Sequence, residues 1–466
     1  MEIDISAVLS GVAGLAGIQW LLLEAPAHGV LLGALMCVLD DGTAIDAIRL
    51  QRAKYKPGRY MTTYHAVDMH NASGSSTRLV EANWLPPGSA DPRGEHDAML
   101  DMQAQAIERG LAAPYQALLT ENADWGMVAQ IFPLDVDFPK LARLADPAYV
   151  QNVLAAEATL QPSAPNYQIT PIRYRPGQRH VLRYDPVDAG GHVDEGGTLF
   201  GKIYNSDKGA RTFKVATRIS EWLTEQNNGI SAVRPLAYIA AEGLVLYPRV
   251  VGTPLSELLR KPGSATDAQL RAAGAAIRAL HQTPESLIEL QPHSFAKELK
   301  GIISASDHVR PLLPATNSII ASLIERARVL HDQLPQEPPS FAYGDFKADH
   351  LWITPAGMTL IDFDTCYLSD PAIDLGKFLA DLQWWYDGYD LANVEAAQEQ
   401  FLAGYGATTP DRLARARLYE ALVLTKTTVR RVKLFDRDWA ARTERLIGRA
   451  SAVLDRLALD NAIAHV

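Results

Sequence analysis

The segment Phe341-Ala-Tyr-Gly-Asp345-Phe-Lys-Ala-Asp-His350-Leu-Trp-Ile, followed shortly by Thr359-Leu-Ile-Asp362-Phe-Asp364, holds the set of residues best suited to chemistry. Two apolar runs, Leu351 to Ile353 and Met358 to Ile361, flank the turn Thr354-Pro-Ala-Gly357 and predict a β-hairpin. A hairpin returns its ends to one place, so Asp345 at its entrance and Asp362 at its exit can bracket one small volume. Phosphoryl transfer uses such a pair: one carboxylate accepts a hydroxyl proton, and another holds the cation that bridges the phosphates.

Gly344-Asp345, then His350, then Ile361-Asp362-Phe363-Asp364 and Ser369-Asp-Pro-Ala-Ile-Asp374-Leu-Gly together resemble the catalytic core of the aminoglycoside phosphotransferase and choline kinase-like enzymes. The resemblance implies an α+β, bilobal protein kinase-like fold with a small β-rich lobe and a helical large lobe. It implies an ATP-dependent phosphotransferase that moves the γ-phosphate to a hydroxyl of a small molecule, whether a sugar, an aminoglycoside-like compound or an amino alcohol. Asp345 would be the base, Asp362 a ligand of Mg²⁺, and Asp374 a structural carboxylate holding the catalytic loop. Two positions depart from the family pattern. Tyr343 stands where the family has His, and His350 stands where it has a metal-binding Asn. Imidazole nitrogen suits Mn²⁺ better than an amide oxygen does, so His350 either joins the metal or hydrogen-bonds Asp345 and orients it. A nucleotide-binding pseudokinase with a regulatory or scaffolding role is the alternative that these departures leave open.

The elements that must position these residues occupy a chain of 466 residues, long enough for two or three domains or lobes. The formal net charge of −10, from 54 acidic and 44 basic residues, argues against a dominant nucleic-acid-binding surface. Two cysteines, Cys37 and Cys366, make neither a disulfide framework nor a zinc site and fit a reducing cytoplasm. Ala7 to Leu23 is uncharged and mostly apolar, at the lower length limit for a membrane span and preceded by Glu2 and Asp4. A buried helix or strand pair is expected there.

Upstream of the catalytic segment the chain repeats itself. Lys54-Tyr-Lys-Pro-Gly-Arg59 resembles Arg173-Tyr-Arg-Pro-Gly177-Gln178, and in both places strand, strand, helix and strand patterns follow in the same order. That is the order of a kinase small lobe. Expected domains are therefore a degenerate small-lobe-like domain over 1–158, a nucleotide-binding small lobe over 159–250 and a helical catalytic and acceptor-binding lobe over 251–466. In the second copy Lys202 sits inside the apolar strand Leu199-Phe-Gly-Lys-Ile-Tyr204, where a buried ammonium requires an anion. The resemblance assigns it to the α- and β-phosphates of ATP, with Glu221 as its helix partner, although Glu221 lies off the face shared by Phe213, Ala216, Ile219 and Leu223. Pro176-Gly177 has tight-turn chemistry and is flanked by Arg173, Arg175 and Arg179. By resemblance Gly177 and Arg179 belong to the loop over the phosphates; the alternative is a surface hairpin with solvated arginines. Tyr247 would lie in the crossover whose backbone meets the adenine. For the acceptor, Gln383-Trp-Trp-Tyr-Asp-Gly-Tyr-Asp390 combines ring faces with carboxylates, while tryptophans at a helix end are also ordinary core residues.

With a lysine in only one of the two matching strands, Lys202→Ala is expected to weaken ATP binding at least tenfold, while a change at Glu81 in the first copy leaves nucleotide affinity unaltered. Equal weakening by both substitutions in a calorimetric titration would remove the asymmetry between the copies.

Overall fold

The Pro-Gly turn builds the same hairpin twice. In the computed structural model, which describes residues 4–86, 96–157 and 166–464, Gly58 and Gly177 take left-handed φ values of 71° and 69°, the corner that follows a proline in a type II turn. The first hairpin joins β1 (Ala44–Lys56) to β2 (Tyr60–Asn71), and β3 (Gly74–Trp84), β4 (Leu119–Asn122) and β5 (Met127–Ile131) complete a sheet in the order β1-β2-β3-β5-β4. The second joins β6 (Asn166–Arg173) to β7 (His180–Val187) and continues through β8 (Leu199–Ile203). A short β9 (Ile230–Ala232) pairs elsewhere, and β10 (Ala237–Ile239) and β11 (Leu244–Pro248) then give the order β6-β7-β8-β11-β10. The topology is identical, with a helix after the third strand in each case, His96–Glu108 and Lys208–Gln226.

Small details repeat as well. A 3-10 turn precedes the last strand of each sheet and ends in a left-handed glycine, Gly126 or Gly243. A Cβ at either would run into the carbonyl of the residue ending the third strand, Leu85 or Tyr204. The amides of those two residues bond back to the same glycines at 2.9 Å. This equivalence aligns Lys202, opposite Val245, with Asn83, opposite Val128. The first-copy counterpart of the lysine is therefore Asn83 and not Glu81. Glu81 is itself buried and accepts from Gln130 at 2.5 Å, so a change there costs stability, apart from any question of nucleotide affinity.

The chain forms two compact units. Both sheets lie in the first, made of Met1–Phe213, Pro235–Arg249 and Lys433–Arg437. Leu182, Tyr184, Ile203, Leu244 and Leu246 of the second sheet bury their apolar face on Phe138, Leu141, Leu144, Val150 and Leu154, from the segment that follows the first sheet. The junction at 158–165 lies outside the described residues. At the amino terminus, the run expected as a buried helix or strand pair is helical, Ile5–Ser10, Gly14–Leu23 and Ala25–Met36. Leu9, Ile18, Leu21 and Leu31 are fully buried, but less than a third of Gly14–Met36 is, and that stretch is long and apolar enough to cross a membrane by length and composition.

The second unit, Lys214–Arg234, Val250–Val432 and Asp438–Val466, is mainly helical. Its core gathers Ala216, Ile219 and Leu223 with Leu270, Ile277, Phe346, Leu360, Phe378 and Phe401. Into this helical layer β12 (Thr253–Pro254), β14 (Leu351–Thr354) and β15 (Gly357–Leu360) bring the catalytic hairpin, and β13 (Ser340–Ala342) pairs with β16 (Tyr367–Ser369). The expected two-stranded hairpin is the centre of a four-stranded sheet, β12-β14-β15-β9, with β9 parallel to β15. Thr253 and Pro254 are strand residues, and a short helix begins at Leu255 with Pro254 as its N-cap.

On the core face of the first sheet His65 is 5% exposed, and neither ring nitrogen has a hydrogen-bond partner among the described residues. Burial, with a smaller push from His28, lowers its pKa to about 3. The unfolded chain takes up this proton below about pH 6.5 and the folded chain does not, so the stability contribution is complete above that pH and is lost as pH falls. Linkage puts the loss at about 2 kcal/mol by pH 5. His65→Leu should flatten the fall in unfolding temperature between pH 7 and pH 5; an unchanged pH dependence in calorimetric scans would show that His65 does not cause it.

Candidate active site

The hairpin closes on itself with Leu351 opposite Leu360 and Thr354 opposite Gly357, leaving Pro355 and Ala356 as a two-residue loop. At its open end the Ile361 amide donates to the His350 carbonyl at 3.1 Å. This closure brings the two predicted carboxylates to one imidazole. His350 Nδ1 lies 3.8 Å from Asp345 Oδ2, and Nε2 lies 3.6 Å from Asp362 Oδ2. Asp362 has a left-handed φ of 67°, uncommon for a residue with a Cβ and often found where function fixes the backbone.

Tyr343, in place of the expected histidine, sets the state of that ring. Its hydroxyl donates to the Ile361 carbonyl and lies 3.2 Å from His350 Nδ1. With its proton committed, the phenol oxygen can accept from Nδ1–H, and Nε2 faces Asp362. Burial first, then the surrounding carboxylates, raises the Tyr343 pKa well above its ordinary value, so it remains a phenol. Two ligands of one cation, each about 2.1 Å from it, sit roughly 3 to 4 Å apart, and Nε2 and Oδ2 meet that condition. Among the described residues no three His, Cys, Asp or Glu side chains form a metal cage. A site with one or two protein ligands suits a divalent ion that keeps water and phosphate oxygens.

Two lysines that sequence reasoning passed over converge on Asp345. Lys347 Nζ lies 2.6 Å from Asp345 Oδ2 and Lys377 Nζ lies 3.2 Å from Oδ1. Burial alone would raise the Asp345 pKa, but Lys377, His350 and Lys347 outweigh it and hold the carboxyl below the usual carboxylate range. Lys377 comes from the helix Ala372–Gly388, where Asp374 and Asp381 share its face at a spacing of three and four residues. Asp374, fully buried, accepts the amides of Tyr343 and Gly344 at 2.7 and 2.8 Å and lies 3.3 Å from His281. Asp381 accepts the Ala348 amide at 2.8 Å and is approached by Trp385 Nε1 and Arg431, each at 3.2 Å. The Asp-x-x-Lys-x-x-x-Asp stripe on an otherwise apolar helix was the signal that could have revealed this support.

The remaining predicted residues are placed as follows. In the first unit, Lys202 lies 5.5 Å from the centre of the Tyr247 ring. It shares a sheet face with Val181 and Val245, opposite the face buried on Leu141 and Leu144. Gly177 donates its amide to Asp135 at 2.9 Å, so the backbone donor expected for a phosphate is already used. Arg179 follows it at the end of the turn. In the second unit Glu221 is engaged by Arg234 at 3.1 Å and Arg218 at 3.4 Å. These are the ion pairs of a solvated helix face. Of the run considered for the acceptor, several members are engaged within the fold. Trp384 is buried with Arg442 over its ring at 4.3 Å, and the Asp387 carboxylate is enclosed by Arg442, Arg445 and Arg449. Gln383 is buried against Glu420.

The fold, with its hairpin and flanking carboxylates, is protein kinase-like. Residues 192–419 match the model of the phosphotransferase enzyme family, APH, and the first sheet lies outside the match. That region, just under half of the chain, is similar to the family. Solved structures similar to the chain include a choline/ethanolamine kinase family protein from Mesorhizobium loti, at 18% identity over 66% of this chain and 94% of that one, TM-score 0.45. Amicoumacin kinase hAmiN, solved with AMP-PNP and Ca²⁺, is 16% identical over 68% and 95%, TM-score 0.47. An aminoglycoside phosphotransferase from Streptomyces rimosus is 20% identical over 55% and 92%, TM-score 0.37. No curated protein sequence matches the chain.

Removing the Asp374 carboxylate leaves two buried amides unpaired at about 1–3 kcal/mol each. Asp374→Ala should therefore lower unfolding free energy by roughly 3 kcal/mol in urea and reduce turnover beyond what the lost folded fraction explains. Unchanged stability and turnover would mean that the loop is held by something else.

Proposed function

We propose that the chain transfers the γ-phosphate of ATP to a hydroxyl of a small molecule. The observation that carries this is the placement of Asp345 and Asp362 on opposite nitrogens of His350, each within 4 Å. Asp345 accepts the hydroxyl proton as the oxygen attacks phosphorus. Its depressed pKa makes it a weak base, which suits a loose transition state in which the proton leaves late. Lys347 and Lys377 hold the carboxylate in place and offset negative charge gathering on the transferred group. Asp362, with His350 Nε2, would hold Mg²⁺ or Mn²⁺; when bound, the ion neutralises charge on the β- and γ-phosphate oxygens. Lys202 is assigned to the α- and β-phosphates, Arg179 to phosphate charge, and the backbone beside Tyr247 to the adenine.

Two ammonium groups against the base oppose a polycationic acceptor at the reacting hydroxyl. The carboxylate and ring face that could have recognised a cation, Asp387 and Trp384, are occupied by arginines. A neutral, sugar-like polyol is therefore the favoured acceptor over an aminoglycoside or amino alcohol.

The test is ATP turnover against a panel of neutral and cationic hydroxylated compounds, with Asp345→Asn as control. Loss of the base should cost about 10²- to 10⁴-fold in kcat. ATP binding without turnover on any acceptor, indifferent to Asp345→Asn, would instead support a pseudokinase. His350→Asn should keep activity and shift metal preference from Mn²⁺ toward Mg²⁺, and His350→Leu should abolish activity with both. Full activity of His350→Leu in Mg²⁺ would exclude a direct part for the imidazole.

A further inference from the structure

The turn Tyr174–His180 is the loop that the proposed function places at the phosphates, and this inference rests on that reading. The loop is fastened at its base and tip by residues outside the second sheet. Asp135, from the segment after the first sheet, is 1% exposed and His180 is 0% exposed. One oxygen, Oδ2, accepts the Gly177 amide at 2.9 Å and lies 2.7 Å from His180 Nε2. The other accepts the Asp137 amide at 3.1 Å. Beside this pair, the Tyr174 hydroxyl donates to the Leu134 carbonyl at 2.5 Å, and the Phe138 ring packs edge-on against His180 at 4.7 Å. At the tip, Gln178 donates to the Tyr64 hydroxyl of the first sheet at 3.4 Å.

The matching turn of the first copy isolates what is special here. Gly58 also gives its amide to an outside acceptor, the Leu9 carbonyl at 2.8 Å, and Tyr55 also bonds main-chain carbonyls. The second copy replaces that neutral carbonyl with a buried carboxylate that also meets a histidine. Charge-assisted hydrogen bonds of this kind are stronger and more directional than neutral ones. The arginines on the loop give the fastening a purpose. Arg175 is half-buried near Arg52, Arg173 and Arg179, and burial first, then those neighbours, lowers its pKa to about 10. Arg52 stands opposite Tyr64 in the register of the first sheet, so the first copy supplies a cation as well as an anchor. A guanidinium fork suits a multiply charged anion, and an immobile loop spares that anion the ordering cost.

We infer that the first copy is a fixed brace for the phosphate loop, with Asp135 as a positioning residue that holds Gly177 and His180 so that the loop arginines meet the nucleotide phosphates. The brace replaces the several glycines of an ordinary phosphate loop: the loop contacts phosphate through side chains and does not close over it with backbone donors. This gives the extra amino-terminal sheet a part in nucleotide affinity without a nucleotide site of its own.

The test titrates Mg·AMP-PNP into the full chain by calorimetry and follows steady-state KM for ATP. Asp135→Asn keeps the shape and removes the charge; misplacing the loop should weaken Mg·AMP-PNP binding and raise KM for ATP about tenfold, with kcat within about twofold. His180→Gln retains an N–H for Asp135 and should bind close to wild type, while His180→Ala should match Asp135→Asn. A folded Asp135→Asn that binds as wild type overturns the brace. If Asp135→Asn does not fold, the histidine pair decides: equal affinities for His180→Gln and His180→Ala overturn it. Wild-type protein that fails to bind Mg·AMP-PNP overturns the nucleotide reading itself, which the binding variants distinguish from failure of the brace alone.

Discussion

A single buried carboxylate, Asp374, accepting two successive amides is the constraint on which the catalytic loop depends. Tyr343 and Gly344 can point both N–H groups at one side chain because Gly344 takes a φ of 77°. A Cβ there would strike the Thr365 carbonyl and the Tyr367 ring. With these amides pinned, Asp345 leaves the turn in a set direction toward His350. Asp381, two helical turns beyond Asp374, does the same for the Ala348 amide. One helix therefore fixes the backbone on both sides of the base, and Lys377 between them reaches the base itself. A site supported from a helix face holds its geometry better than one supported from a loop.

The two sheets show how one topology takes on different work through the chemistry of alternate positions. On the first, Thr62 donates to Asn83 and Gln130 to Glu81, a polar layer that is buried and internally bonded. At corresponding positions the second carries Val181, Lys202, Phe200 and Tyr247, only partly buried. Buried polar groups must be paired, so the first face spends its hydrogen bonds within the fold. The second face carries the Lys202 cation where the first has the Asn83 amide.

Charge is distributed unevenly for a chain that is acidic overall. The net charge of −10 is a sum over the whole chain, while the Asp345 carboxylate, the Tyr174–His180 turn and the Trp384 ring face are each met by cations. Asp387 draws Arg442, Arg445 and Arg449, all more than fifty positions away. Composition along one segment cannot show such partners, so the aromatic and acidic run after Gln383 read as a binding surface when it is largely a helix end packed into its neighbours.

Alone, the sequence determined the hairpin with Asp345 and Asp362 at its ends, the repetition of a small-lobe pattern, the lysine confined to the second copy and the helical character of the chain after residue 250. Each is a local matter: period-two or helical patterning, turn residues with a required φ, a charge inside an apolar strand. Only the tertiary structure decided that β9 extends the catalytic hairpin into a four-stranded sheet, that Asn83 is the counterpart of Lys202, that Lys377 and Asp381 attend the base, and that Asp135 holds Gly177 and His180. Those depend on strand register and on pairings between distant parts of the chain. A hydrogen bond is set by a separation of about 3 Å in space, and the distance along the chain carries no record of it.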